Sequence, residues 1–316
     1  EHDLVIGTFG RAIWILDDIR PFRELAKNPE ISKKKLHLFS PPKAYLTEYQ
    51  QPTGSRFGAD AIYNAENKKY GSMLTYFYRK GEEKSKDSLT LSIYDGERLI
   101  RTLKQKAPKE NGIHRMYWYM NEKGADRPSR KIRKRTNEPR GVSVKPGTYN
   151  LKMSFGDQTS ESSIKVEFDP RLEMSKEAIT EIYNTSKEME KDQQLMADVV
   201  KQLVESKNTA TNFSKTLKKE DKKLHKDAID LSAKISETIE NLISLYIGKE
   251  DKRQGITRNP EVTVLNRIRT AGWYGGSRPD GITQTEITLL KHAQDQLNNA
   301  LDKTNAFFEK DWLAYK

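Results

Sequence analysis

Cysteine is absent from the 316 residues. That excludes disulfides, thiolate catalysis and cysteine-ligated metals, and it leaves the compartment open. No apolar run approaches the roughly 20 residues needed to cross a bilayer as a helix. Histidine is sparse: His2, His37, His114, His225 and His292 lie far apart and nowhere take a metal-ligand spacing. There is no G-x-S-x-G elbow, no P-loop and no dinucleotide fingerprint after a strand, so no catalytic residue and no cofactor is expected. A signal peptide and an initiator methionine are also missing, and the reading that follows treats the chain as the carboxyl-terminal piece of a longer protein.

Charge, by contrast, is plentiful: 56 Lys and Arg against 45 Asp and Glu, a net charge of +11. Much of the excess is local. Arg127, Arg130, Lys131, Arg133, Lys134, Arg135 and Arg140 crowd one stretch against the single Glu138. Strand-like segments flank it, which predicts a long solvated loop. The functional alternative is an anion-binding patch for acidic polysaccharide, lipid A phosphates or nucleic acid. No aromatic interleaves the run and no nucleic-acid fold signature is present, so nucleic acid is not an expected partner.

The opening residues read as a hairpin. Val5 and Ile6 belong to one apolar run, and Ala12 to Leu16 form a second, β-branched and aromatic as strands prefer. Gly7 and Gly10 bracket the turn between them. Two short strands are not stable alone in water, so this hairpin is expected to need a neighbour. Asp17 and Asp18 raise the possibility of paired catalytic carboxylates. Adjacent strand residues point to opposite faces, however, so ending the strand or capping the next helix is the favoured reading.

Four segments follow: a remnant hairpin at 1–20, a connector at 21–35 broken by Asn28-Pro29, a strand-rich domain at 36–169 and a helical domain at 170–316. Short strands are predicted at 71–78, 88–94, 99–103, 113–120, 147–155 and 161–168, with Asp95-Gly96 and Gly156-Asp157 as hairpin turns. Such spacing without helical period predicts an antiparallel β-sandwich of immunoglobulin or fibronectin type. Tyr117-Trp118-Tyr119 sets Trp118 toward the core and the tyrosines on the other face, either as a half-wet pair or as a sugar platform.

After Asp169-Pro170 the period becomes helical, with stripes over 179–203, 224–246 and 287–308 and a short helix at 261–271. Ser175 is a predicted N-cap, Thr283–Glu286 a capping box and Gly248 a C-terminal stop. These predict an up-down antiparallel helical bundle, each run broken by Gly or Pro within about thirty residues. The loop Gly272–Gly281 holds Trp273, Tyr274 and Arg278, side chains that favour hot spots, or else a plug for the bundle end.

The ordered motifs carry a resemblance. Gly7-Thr-Phe-Gly-Arg-Ala-Ile-Trp-Ile-Leu-Asp-Asp18, then Leu38-Phe-Ser-Pro-Pro-Lys-Ala-Tyr45, Pro146-Gly-Thr-Tyr149 and Asp169-Pro-Arg171 resemble the end of the large BNR-repeat, sortilin (VPS10)-like β-propeller proteins of Bacteroidetes and relatives. The resemblance covers roughly residues 3–172 and implies that the hairpin closes the last propeller blade. It also implies export to the periplasm, cell surface or medium. The expected partners are the upstream propeller of the same protein and a protein or polysaccharide at the cell envelope. Proteins of this kind are often labelled glycosyl hydrolases, so two readings stand beside the non-catalytic scaffold. One is the tail of a glycoside hydrolase whose active site lies in the propeller, the other a carbohydrate or polyanion-binding module. Asp87-Ser88-Leu89 also resembles the Bacteroidetes O-glycosylation acceptor.

Overall fold

The computed structural model describes residues 2–10, 12–47, 69–80, 88–132, 134–250, 262–276 and 281–316. The turn at Gln51–Gly54, the acceptor Asp87, the basic Arg133, the start of the short helix at Glu261, and Arg278 lie outside them. The chain separates into two compact units: Glu1–Lys123 with Thr136–Glu138 and Ser143–Glu173, and Gly124–Arg135 with Pro139–Val142 and Met174–Lys316. Residues 124–135 and 139–142, placed in the strand-rich region by the sequence, cluster with the helices.

In the first unit, β1 (Leu4–Gly7) and β2 (Ile13–Leu16) pair antiparallel as a separate two-stranded sheet. The connector forms helix α1 (Arg20–Lys27) and a 3-10 turn at Pro29–Lys33. Then come β3 (Leu36–Leu38), β4 (Ala44–Leu46), β5 (Ser72–Tyr78), β6 (Ser88–Asp95), β7 (Arg98–Lys106), β8 (Gly112–Trp118) and β9 (Asn121–Lys123). β10 (Arg140–Ser143), of which residues 140–142 belong to the second unit, precedes β11 (Gly147–Phe155) and β12 (Gln158–Phe168) of the first. One sheet has the order β4-β12-β11-β6-β7 and a second the order β3-β5-β8.

The expected antiparallel pairing holds except at one edge: β4 runs parallel to β12, Ala44 opposite Val166. The eight residues from Pro146 to Met153 illustrate why these strands form. Tyr149, Leu151 and Met153 are buried while Asn150 and Lys152 are wet, the period-2 alternation of a sheet with one covered face. Leu89, Leu91 and Ile93 of β6 repeat it. With Leu74, Tyr76, Met116, Trp118, Ile164 and Val166 they form one apolar cluster drawn from both sheets. Gly96, at φ 61°, takes the left-handed conformation that the β6–β7 turn requires. Trp118 is fully buried, donates from Nε1 to the Asn121 carbonyl at 3.0 Å and meets Tyr149 edge-on at 5.5 Å.

The second unit is helical: α2 (Lys176–Glu220), α3 (Lys226–Ile247), α4 (Val264–Gly275) and α5 (Gln284–Phe307), followed by a π-helical turn at Phe308–Trp312. α2 runs unbroken for 45 residues, against the expectation that each run ends within about thirty. It contains neither Gly nor Pro, and stopping it falls to Asp221, which lies extended at φ −153°. The caps are as read: Ser175 accepts from the Ala178 amide, and Thr283 and Glu286 form a full capping box. Gly248 closes α3 at φ 77°. Met196, Val200, Leu203, Ile239, Ile243, Tyr246, Ile268 and Leu297 belong to one core. Among the described residues no helix is long and apolar enough to cross a membrane.

Candidate functional site

The largest departure from ordinary surface chemistry is the opening hairpin. Its register sets Leu4 opposite Leu16, Val5 opposite Ile15, Ile6 opposite Trp14 and Gly7 opposite Ile13. Side chains alternate, so Leu4, Ile6, Trp14 and Leu16 share one face while Val5, Ile13 and Ile15 share the other. Both faces are wet. Val5 is 61% exposed, Ile15 64%, Trp14 66% and Ile13 72%, and Phe9 at the tip is fully exposed. A sheet that meets water normally keeps one polar face, and a strand apolar on both faces belongs inside a sheet covered on both sides.

The base of the hairpin is held. The Asp18 amide donates to an Asp3 carboxylate oxygen at 2.8 Å, and the Ile19 amide to the His2 carbonyl at 2.8 Å. Arg115 of β8 donates to the Asp17 carbonyl. Asp18 is buried at φ 54°, and its carboxylate accepts from the Arg20 side chain at 2.6 Å. It therefore orders the turn into α1 by binding the Arg20 side chain and amide, although Ile19 is the N-cap residue. Paired carboxylate chemistry is not what this geometry serves.

The other sequence-derived candidates scatter. Tyr117 and Tyr119 do lie away from the buried Trp118, but Lys69 Nζ sits 5.6 Å from the Tyr117 ring centre and Tyr119 stacks on Tyr70 at 6.3 Å. They are covered in part rather than presented as a bare platform. Trp273 and Tyr274 are not in a loop: α4 extends through Gly275 and carries both on its last turn. Trp273 is 73% exposed, with its ring 5.3 Å from that of Tyr274, so among the described residues it is not a buried plug.

The basic stretch divides in two. Arg130 is half-buried, donating from Nε to Glu240 at 2.8 Å and from its other end to the Gly248 carbonyl at 2.6 Å. Lys207 reaches the same carboxylate at 2.6 Å. Burial would raise the Glu240 carboxyl, but the hydrogen bonds from Lys207 and Arg130 outweigh it and hold it below the usual range. Arg135 lies 3.9 Å from Asp126. Arg127, Lys131 and Lys134, by contrast, have no ion-pair partner among the described residues and line a groove of about 610 Å³ against α2. Neither Glu240 nor the α2 side of that groove is visible in the sequence, since 110 residues separate Arg130 from Glu240.

Among the described residues no group of three or more His, Asp and Glu stands close enough to hold a metal ion. No protein-family model, no curated protein and no solved structure matches this chain.

Proposed function

We propose that this chain is a non-catalytic scaffolding and partner-binding region of an exported BNR/VPS10-like protein, and that β1–β2 completes a sheet of its β-propeller. The observation that carries the reading is the hairpin with apolar side chains exposed on both faces. Propeller blades pack face to face, so blade strands bury both faces. Among the described residues the hairpin joins no other sheet, so its outer edges can accept further strands.

On this reading the strand-rich unit is an immunoglobulin-like sandwich and the helical unit an up-down bundle, together bracing the propeller outside the cytoplasm. Two details favour the sandwich. Trp118 is a fully buried sheet tryptophan, and the Tyr149 hydroxyl donates to the Lys145 carbonyl four residues upstream at 2.6 Å, the form of a tyrosine corner.

The test is amide hydrogen exchange over residues 4–16 in this chain and in the protein extended by the sequence its gene encodes upstream. Strong protection on extension, with Asp-box repeats in the added sequence, is the expected result. Equal exchange in both proteins would overturn the docking role. Glycoside turnover by this chain, abolished by substituting one of its own carboxylates, would overturn the non-catalytic role.

A further inference from the structure

The groove beside α2 is a separate feature from the hairpin, and its chemistry is specific enough to name a ligand class. One wall is formed by residues 126–132 with 134 and 135, which α2 holds at Asp126: the Asp126 amide donates to the Gln194 side chain at 2.8 Å, and Gln193 donates to the Asp126 carbonyl at 3.2 Å. Arg130 pins the same segment to Glu240 and Gly248. The other wall is one face of α2, where Asp198, Lys201 and Glu205 follow at helical spacings of three and four.

Between these walls Arg127, Lys131, Lys134 and Lys201 present four exposed cations with no ion-pair partner among the described residues. Three carboxylates stand among them: Asp198 and Glu205 on α2, and Asp126 on the opposite wall, 3.9 Å from Arg135. Among the described residues no aromatic side chain lines the groove, and these residues offer no stacking surface for a base. A continuous phosphodiester chain would also run its charge past these carboxylates. A chain that alternates anionic groups with hydroxyls meets no such conflict, because the cations take sulfate or carboxylate oxygens and the acids accept from hydroxyls.

We propose that the groove lined by Arg127, Lys131 and Lys134 on one side and α2 on the other binds an acidic polysaccharide, one carrying sulfate or carboxylate groups among free hydroxyls. The anchoring of Asp126 and Arg130 fixes two points of this wall without ligand, which lowers the entropic cost of binding. Neither the hairpin nor its docking is needed for this site.

The test compares binding of heparin, polygalacturonate and a single-stranded oligonucleotide of matched charge to the chain and to two charge-reversed variants. The first variant carries Lys131→Glu, Lys134→Glu and Lys201→Glu. The control carries Lys215→Glu, Lys218→Glu and Lys219→Glu near the far end of α2, an identical change in net charge. The expected result is saccharide binding weakened at least about tenfold in the groove variant and much less in the control, with the oligonucleotide bound more weakly than at least one saccharide. Equal losses in both variants would show attraction to net charge alone and overturn the site. Oligonucleotide binding as tight as that of both saccharides would overturn the ligand class. A folded helical content by circular dichroism in both variants is required for the comparison, and a Lys131→Gln, Lys134→Gln pair supplies it if the triple reversal unfolds.

Discussion

Arg130 and Glu240 are joined at 2.8 Å across 110 residues of sequence, and Lys207 closes on the same carboxylate at 2.6 Å. An arginine from an irregular segment, a lysine from α2 and a glutamate from α3 thus meet at one half-buried point. The arrangement turns a stretch that composition marks as solvated into a wall of the helical unit.

Glu240→Gln should destabilise the helical unit by about 1–3 kcal/mol, because two cations lose their shared counter-charge while partly desolvated. The wild-type pair has a defined pH window. The Glu240 carboxyl sits below its ordinary value of 4.5 in the folded state. Its contribution is therefore present above that value and is lost as pH falls through the lowered folded one. Urea melts of both proteins across pH 3 to 7 check this. The difference between them should shrink toward the acid end, and a constant difference would remove Glu240 from the account.

The hairpin behaves oppositely if its faces await a partner. Val5→Thr with Ile15→Thr replaces one cross-strand pair on the wetter face. Because both side chains are already exposed, stability should change by no more than about 0.5 kcal/mol while binding of a hydrophobic dye falls. A loss of several kcal/mol in a thermal melt would mean that these residues already have a buried role.

Tyr149→Phe removes the hydroxyl that donates to the Lys145 carbonyl at 2.6 Å but keeps the ring against Trp118. The expected loss is about 0.5–1.5 kcal/mol, the net worth of one hydrogen bond. Tyr149→Leu should cost more, since it also removes the edge-on ring contact. Near-UV circular dichroism, sensitive to the Trp118 environment, separates the two.

Two buried tyrosines report alkaline stability. Burial pushes Tyr76 up to about 12, against a hydrogen bond from Gln105, and pushes Tyr246 up to about 12, against one with Thr304. The unfolded value is 10.0, so each contributes stability that is fully present below pH 10 and lost as pH rises through 12. Spectrophotometric titration of phenolate should show at least two late protons, and Tyr246→Phe should remove one of them.

Introducing a side chain at Gly124 should be costly. A Cβ there would lie 2.3 Å from the Arg140 carbonyl oxygen and 2.6 Å from the Gly141 amide nitrogen, backbone atoms that cannot rotate aside. Gly124→Ala is expected to lower stability by about 1–3 kcal/mol in a thermal melt, and an unchanged melting point would mean that the backbone at Arg140 and Gly141 moves away from Gly124 readily.

Local chemistry was legible residue by residue. The Ser175 cap, the Thr283–Glu286 box, the Gly248 stop and the alternation of Leu89, Leu91 and Ile93 are each set by neighbours within a few positions, and each appears where the sequence places it. The length of α2 is not legible from Gly and Pro punctuation, because the segment after 203 has neither until Gly248. Gly272, Gly275 and Gly276 around Trp273 and Tyr274 favour a loop, yet packing of Val264, Ile268 and Ala271 carries the helix through. The parallel edge strand β4 left no mark in period or turn chemistry, since strand direction is decided by what lies across the sheet.

The sequence by itself determined which residues are apolar at period 2 or 3.6, where helices begin, and that the first hairpin is apolar throughout. Those are short-range properties of side chains and backbone. Only the tertiary structure decided that the hairpin keeps both faces in water, that Arg130 is a pin while Lys131 and Lys134 have no ion-pair partner among the described residues, and that α2 supplies their opposite wall. Each depends on a contact, or on the want of one, between residues tens of positions apart, and no local propensity encodes that distance.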